Sequence, residues 1–397
     1  MSRKIVPFKT FVVKVASRCD LNCSYCYMYN LQDKTYRNQP PRMDLDVALR
    51  TAERIRSHSE RHGSPEVHII LHGGEPLTVG MNYLHQWLEV VRRGLGTSLD
   101  GYYSMQSNGV ALTDEWIEFL AEHGVGIGIS LDGPKHVHDR FRLHHNGRGS
   151  YDEVIGAIER LKRHPRGKEI FSTVMSVADV DLDPHEAWEH FKSLGIFGFD
   201  ISLPHANHLH PPREGKWSYR DWLITLFDAW FDDSELHGFR YFENILRGLF
   251  GYPFSTDNIG GKPVGVLVIE TNGDYEGTDA LKCTVEGMTK LGHNVMTDEI
   301  DTIYENPLVA RLQQIDVPLC ETCQTCPASK VCGGGYLPHR YHAETRGILR
   351  PGFENPSVYC DALFGLVEHA YHRVLETLPA SWLESIDTSH EATADVM

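Results

Sequence analysis

The 397-residue chain has no apolar run of about 18 residues, so no segment is read as spanning a membrane as a helix. It is also short of positive charge. Lys and Arg total 38 against 54 Asp and Glu, a formal charge of -16. That balance excludes general nucleic-acid binding through phosphate neutralisation and docking on anionic membranes, and leaves a neutral or basic polypeptide as a permitted partner. The basic start Met1-Ser2-Arg3-Lys4 precedes only a short apolar stretch broken by Lys9 and Lys14. No signal peptide is therefore read, and the protein is expected in the cytoplasm. Cysteine is missing between Cys26 and Cys283. The nine cysteines fall at 19, 23 and 26 and at 283, 320, 323, 326, 332 and 360. An odd total without any mark of secretion excludes a disulfide framework, and two dense groups read as metal sites. At about 150 residues per domain the length suits two to three domains, large enough to fold without staples.

The first two hundred residues alternate strand-like and helix-like segments. Strands are predicted over 10–16, 67–71, 101–107, 125–131, 171–177 and 197–203, and helices over 44–62, 83–95, 151–164 and 185–194. A further helix starts after Thr113 as N-cap, with Trp116, Ile117 and Leu120 facing inward. Six βα-like units imply a parallel sheet, open or barrel-like, with ligands at the carboxyl edge of its strands. Cys19, Gly73, Asn108, Asp132 and His205 stand at those strand ends. Pro211-Pro212 marks a boundary. Beyond it come an aromatic-rich helix over 217–231, a hairpin formed by 264–270 and 274–276, a cysteine-rich region and a closing helix over 361–378. The polar last residues read as a flexible tail. The organisation expected is a barrel over 8–212, a helical bridge over 213–262, a cysteine-rich domain over 263–378 and a tail over 379–397.

Cys19, Cys23 and Cys26 are spaced C-x3-C-x2-C on the loop after the first strand. Zinc sites generally take four ligands in pairs, whereas three thiolates on one loop suit an iron–sulfur cubane with one iron left open. Tyr25 precedes the last cysteine, where it can pack on whatever the open iron binds. This pattern resembles the radical SAM superfamily. The likeness extends to Gly73-Gly74-Glu75-Pro76, to Gln106-Ser107-Asn108-Gly109, to Ser130-Leu131-Asp132-Gly133 and to Asp139-Arg140-Phe141-Arg142, in the family's order. The resemblance implies a partial (β/α)6 barrel, a [4Fe-4S] cluster with an open iron, and S-adenosylmethionine (SAM). It further implies that Gly73 and Gly74 admit the SAM amino group, that Asn108 at the third strand end belongs to the SAM site, that Ser130 and Asp132 lie near the SAM ribose, and that Arg142 pairs with its carboxylate. Glu75 and Pro76 belong to the same SAM motif. One electron supplied to SAM by an external donor yields a 5′-deoxyadenosyl radical, which takes hydrogen from an unactivated C–H bond.

Cys323-x2-Cys326-x5-Cys332, followed by three glycines, with Cys360 further on, resembles the SPASM extension that holds auxiliary Fe–S clusters. Two of the family's positions depart. Tyr336 stands where the run has its fourth cysteine, and Thr278 stands where the hairpin ends on one. In the family the missing positions mostly ligate the first auxiliary cluster. Cys323, Cys326, Cys332 and Cys360 retain a full set for the second, so at least one auxiliary cluster is expected. Cys283 and Cys320 are metal-ligand candidates without an assigned place. They could complete a further cluster, replace lost ligands or be inert buried thiols.

The segments 204–208, 268–282, 332–341 and 352–360 look like the cyclophane-forming branch of peptide maturases. The implied reaction joins an aromatic ring carbon to a Cβ in a ribosomal precursor peptide with leader and core. The alternatives are a sulfatase-maturing enzyme, which oxidises Cys or Ser to formylglycine, and a zinc-ribbon scaffold. Asp279 is the candidate base, because the corresponding position in sulfatase-maturing relatives carries a carboxylate. His205, His208 and His210 read as pocket lining at most, and Trp217, Tyr219, Trp222, Phe227, Trp230 and Phe231 as helix core. His72 reads only as the approach to the SAM loop.

Overall fold

Strand β1 (Thr10–Ala16) is the centre from which the sheet of this computed structural model grows, and the structure describes residues 5–313, 319–343 and 352–378. It pairs in parallel with β2 (Glu66–Gly73) on one side and with β8 (Val266–Ile269) on the other. From β2 the sheet continues in parallel through β3 (Asp100–Ser107), β4 (Val125–Ser130), β5 (Phe171–Val177), β6 (Gly198–Ser202) and the two-residue β7 (Gly238–Phe239). From β8 it turns antiparallel into β9 (Asp274–Glu276) and β10 (Lys290–Asn294). The ten strands thus form one sheet in the order β10-β9-β8-β1-β2-β3-β4-β5-β6-β7.

The barrel and the cysteine-rich region share this sheet rather than meeting at a linker. The stretch expected as a helical bridge holds the helices Tyr219–Phe231 and Arg240–Leu249, with β7 between them. The expected tail lies outside the described residues.

Period-two alternation in the strands decides what faces where. In β2, Val67, Ile69 and Leu71 are buried in the hydrophobic core, while His68, Ile70 and His72 line an inner cavity. In β1, Phe11, Val13 and Val15 join the core and Val12 lines the cavity. The helices on the outside begin where their caps dictate. Asp44 accepts from Asp46 N ahead of helix Leu45–His62, Thr113 from Trp116 N ahead of Asp114–Glu122, and Asp183 from His185 N and Glu186 N ahead of Pro184–Ser193. Each supplies an acceptor to backbone N–H groups that have no partner within the helix. The aromatic stripe is core, as its spacing suggests: Trp222 and Phe227 are fully buried, and Trp217, Tyr219, Trp230 and Phe231 pack against them. Among the described residues no helix is long and apolar enough to cross a membrane.

Candidate active site

The loop after β1 brings Cys19, Cys23 and Cys26 to the carboxyl edge of the sheet with all three thiols free of disulfides. Local hydrogen bonds wind it tightly, with Cys26 N donating to the Cys23 carbonyl and Tyr29 N and Asn30 N to the Cys26 carbonyl. Gly73 and Gly74 hold the next strand end against this loop. Gly74 N donates to the Ala16 carbonyl at 3.0 Å and Glu75 N to the Arg18 carbonyl at 2.9 Å. Gly73 has φ +134, and a Cβ there would collide with the Ala16 carbonyl. One on Gly74 would collide with the Arg18 carbonyl and the Tyr29 hydroxyl. These glycines are required by the backbone before any cofactor is considered. Gly74→Ala is expected to displace the cysteine loop and lower the iron retained after anaerobic reconstitution, with little change in far-ultraviolet circular dichroism.

Glu75, expected among the SAM residues, ties together the ends of β2 and β3. Its Oε1 accepts from Leu77 N at 3.0 Å and Ser107 Oγ at 2.9 Å, and its Oε2 from Asn108 N at 2.8 Å. Both oxygens are spent on ends of β2 and β3, so Glu75 braces the site. Burial pushes its carboxyl up to about 7 despite those bonds. Pro76 opens the short turn that Glu75 caps.

The other predicted SAM residues converge on the loop. Asn108 Nδ2 donates to Asp20 Oδ1 at 2.7 Å and lies 3.8 Å from Cys19 Sγ. Tyr25 Oη donates to Asp132 Oδ2, and Arg142 Nε donates to the same oxygen at 2.9 Å. The guanidinium also lies 5.6 Å from the Tyr25 ring centroid. Asp132 Oδ1 accepts from Val177 N at 3.0 Å, which ties the trio to β5. Ser130 Oγ accepts from Gln106 Nε2 at 2.8 Å. Arg142 therefore spends Nε on Asp132, and its terminal nitrogens donate to no group among the described residues. A half-buried guanidinium with both terminal nitrogens free fits a carboxylate ligand.

The cysteine thiols fit iron in the same way. Burial pushes Cys19, Cys23 and Cys26 up, Cys23 to about 11, so alone they are neutral near pH 7. A bound metal centre supplies the positive charge that makes such thiols ligands.

The second group is equally well gathered. Cys323, Cys326, Cys332 and Cys360 line one small pocket with Gly334, Ser357 and Phe364. Burial raises Cys323 and Cys332, the latter to about 11. Cys320 N-caps the short helix Glu321–Gln324 and interacts with Cys323. Cys283 is buried elsewhere, with its carbonyl accepting from Asn207 Nδ2 at 3.1 Å. Among the described residues Cys283 lies outside that pocket. Thr278 Oγ1 and Tyr336 Oη, at the two departing positions, lie 3.5 Å from each other. Cys283 is the thiol whose charge bears on Tyr336. One thiol beside a Thr–Tyr contact does not fit a cubane.

The inner face of the sheet opens on a cavity of ≈ 870 Å³, lined among others by His72, His205, Asp279, Tyr27, Tyr336 and His339. His205 takes the lining position expected of it. Asp279 belongs to a buried charge network that sequence reading missed. Parallel pairing sets Lys14 of β1 beside His72 of β2, while β8 on the other flank ends at Glu270. Lys14 Nζ lies 2.8 Å from Glu270 Oε1 and 2.7 Å from Asp279 Oδ1. Lys282 Nζ lies 3.1 Å from Glu270 Oε1 and 2.6 Å from Glu276 Oε2. Burial opposes the charge on Glu270, but Lys14 and Lys282 outweigh it and hold the carboxyl at about 2. Burial and the Glu270 charge push Glu276 up to about 7.

Residues 13–175 match the Radical SAM superfamily. The chain is 25% identical over 382 residues to the cysteine-type anaerobic sulfatase-maturating enzyme of Clostridium perfringens (strain 13 / Type A), covering 93% of this chain and 98% of that one. Its fold resembles the solved structure of anSMEcpe with AdoMet and the Cp18Cys peptide bound, with TM-score 0.77, 22% identity and coverage of 92% of this chain and 98% of that one. It also resembles Streptococcus suis SuiB bound to its precursor peptide SuiA, with TM-score 0.57, 14% identity and coverage of 84% and 72%. The cyclophane expectation is thereby corrected, since the relatives matched along nearly the whole chain are sulfatase-maturating enzymes. The zinc-ribbon alternative gives way to a [4Fe-4S] cluster, SAM and at least one auxiliary Fe–S cluster as the cofactors. Residues 13–175 thus form a Radical SAM domain, and the mixed α/β fold with its parallel sheet resembles that of the anaerobic sulfatase-maturating enzymes.

Proposed function

We propose that this enzyme matures a protein by oxidising a Cys or Ser side chain to formylglycine, as in anaerobic sulfatase maturation. The observation that supports this most is Asp279 on the wall of the inner cavity, in a chain related along 93% of its length to a sulfatase-maturating enzyme. Cys19, Cys23 and Cys26 would hold the SAM cluster. Tyr25, Asp132 and Arg142 would orient SAM, with Asn108 and Ser130 beside them. Cys323, Cys326, Cys332 and Cys360 would hold an auxiliary cluster. Once bound, the cluster and SAM supply a radical that removes a hydrogen atom from carbon. The chain's own part is to hold the peptide's side chain in the cavity, exclude water and accept a proton beside Asp279.

The cofactor complement follows from the same residues. Two clusters predict about eight iron and eight sulfide per chain after reconstitution. A count near twelve would contradict the pairing of Thr278 with Tyr336.

Peptides presenting the target Cys or Ser test the reading under anaerobic conditions with SAM and a one-electron donor. A product that reacts with a hydrazide or aminooxy probe is expected. SAM cleavage with no carbonyl in either peptide would defeat the proposal.

A further inference from the structure

Turning a Cβ–S–H or Cβ–O–H side chain into a carbonyl precursor removes two hydrogens. One leaves carbon as an atom to the SAM-derived radical. The other leaves the thiol or hydroxyl as a proton, with one electron passing to an iron–sulfur acceptor. A proton released in the cavity needs a group that can take it away. Asp279 Oδ1 is spent on Lys14 Nζ at 2.7 Å. Its second oxygen, Oδ2, faces His72 Nδ1 at 3.7 Å.

Of the histidines lining the cavity, His72 is the one set against Asp279 among the described residues. It lines the cavity, its side chain is 23% exposed, and its Nδ1 is buried without a hydrogen-bond partner. A buried imidazole nitrogen left unbonded carries a desolvation cost with no structural return. The ring is held in register by β1–β2 pairing opposite Lys14. The charged groups that bear on it are Asp279, Lys14 and Glu270. Burial lowers its proton affinity, Asp279 raises it and Lys14 lowers it again, leaving the ring neutral and able to receive a proton.

Resting on the oxidation proposed above, we infer that His72 is the proton relay of this site: the substrate's S–H or O–H bond breaks toward Asp279 Oδ2, and an N–H bond then forms at His72 Nδ1. His72 acts through Asp279 and is a positioning and relay residue. Lys14, ion-paired with Glu270 and Asp279, keeps Asp279 turned so that one oxygen faces the ring.

The test compares wild type with His72→Gln and His72→Ala, each reconstituted with its clusters. The substrate is a peptide deuterated at the target Cβ. In His72→Gln, iron content and peptide affinity should match wild type, and deuterium should still reach 5′-deoxyadenosine. Carbonyl formed per SAM consumed should fall at least about tenfold, the low end of general acid–base effects. Its dependence on pH should flatten. In His72→Ala, added imidazole should restore carbonyl formation. Unchanged carbonyl yield in both variants would overturn the relay, as would losses that track weaker peptide binding and ignore imidazole. Failure of the oxidation reading looks different, because wild type itself would then form no carbonyl.

Discussion

Lys14→Met is expected to cost about 3–5 kcal/mol of folding stability, the range for removing one partner of a buried ion pair. Lys14 is fully buried and lies within 2.8 Å of both Glu270 and Asp279, so the substitution leaves two carboxylates facing each other in a dry interior. Lys282 at 3.1 Å still serves Glu270, while Asp279 keeps only the distant His72 ring. The pH dependence follows from the sign of the shift. Glu270 is held at about 2, below an ordinary carboxyl of about 4.3. Its contribution is complete above that ordinary value and is lost as pH falls toward 2. In Lys14→Met the acid transition should therefore begin at higher pH. Anaerobic denaturant unfolding checks the magnitude, and adding Asp279→Asn should recover part of the loss through coupling between the two sites. A midpoint unchanged by Lys14→Met would mean the network bears no charge.

Cys23→Ser is expected to abolish SAM cleavage, by at least about a thousandfold, because the difficult step belongs to the cofactor and not to the polypeptide. The variant should retain the auxiliary iron, since Cys323, Cys326, Cys332 and Cys360 line a separate pocket. Cys283→Ala provides the contrast. That thiol is buried beside Asn207 and outside both cysteine groups, so iron content and SAM cleavage should stay at the wild-type level. Iron assay and quantification of 5′-deoxyadenosine read both results. Equal loss in the two variants would mean that Cys283 is a ligand.

The barrel was legible because each of its strands has local marks. Thr10–Ala16 and Phe171–Val177 begin and end where β-branched and aromatic residues give way to polar turns, and Thr113 caps its helix through Trp116 N as its residue type suggests. The cysteine groups were legible through spacing alone. The joining of both halves into one sheet was not, since β8 reaches β1 across about 250 residues and no local pattern encodes that pairing. The charge network was hidden for the same reason. Its one local trace is Lys14 inside the otherwise apolar run TFVVKVA, a cation that a buried strand tolerates only with partners. His72 was passed over as an approach to the glycines because its meaning depends on Lys14 across the strand and Asp279 beyond it. The departures at Thr278 and Tyr336 remove ligands for one auxiliary cluster and leave Asp279 and the cavity intact.

The most direct test of the account follows one hydrogen. A peptide deuterated at the Cβ of its Cys or Ser is incubated with reconstituted enzyme, SAM and reductant, and both products are analysed by mass spectrometry. The account predicts deuterium in 5′-deoxyadenosine together with an aldehyde at the labelled residue. Deuterium-free 5′-deoxyadenosine, or a peptide that loses its label without gaining an aldehyde, would contradict it.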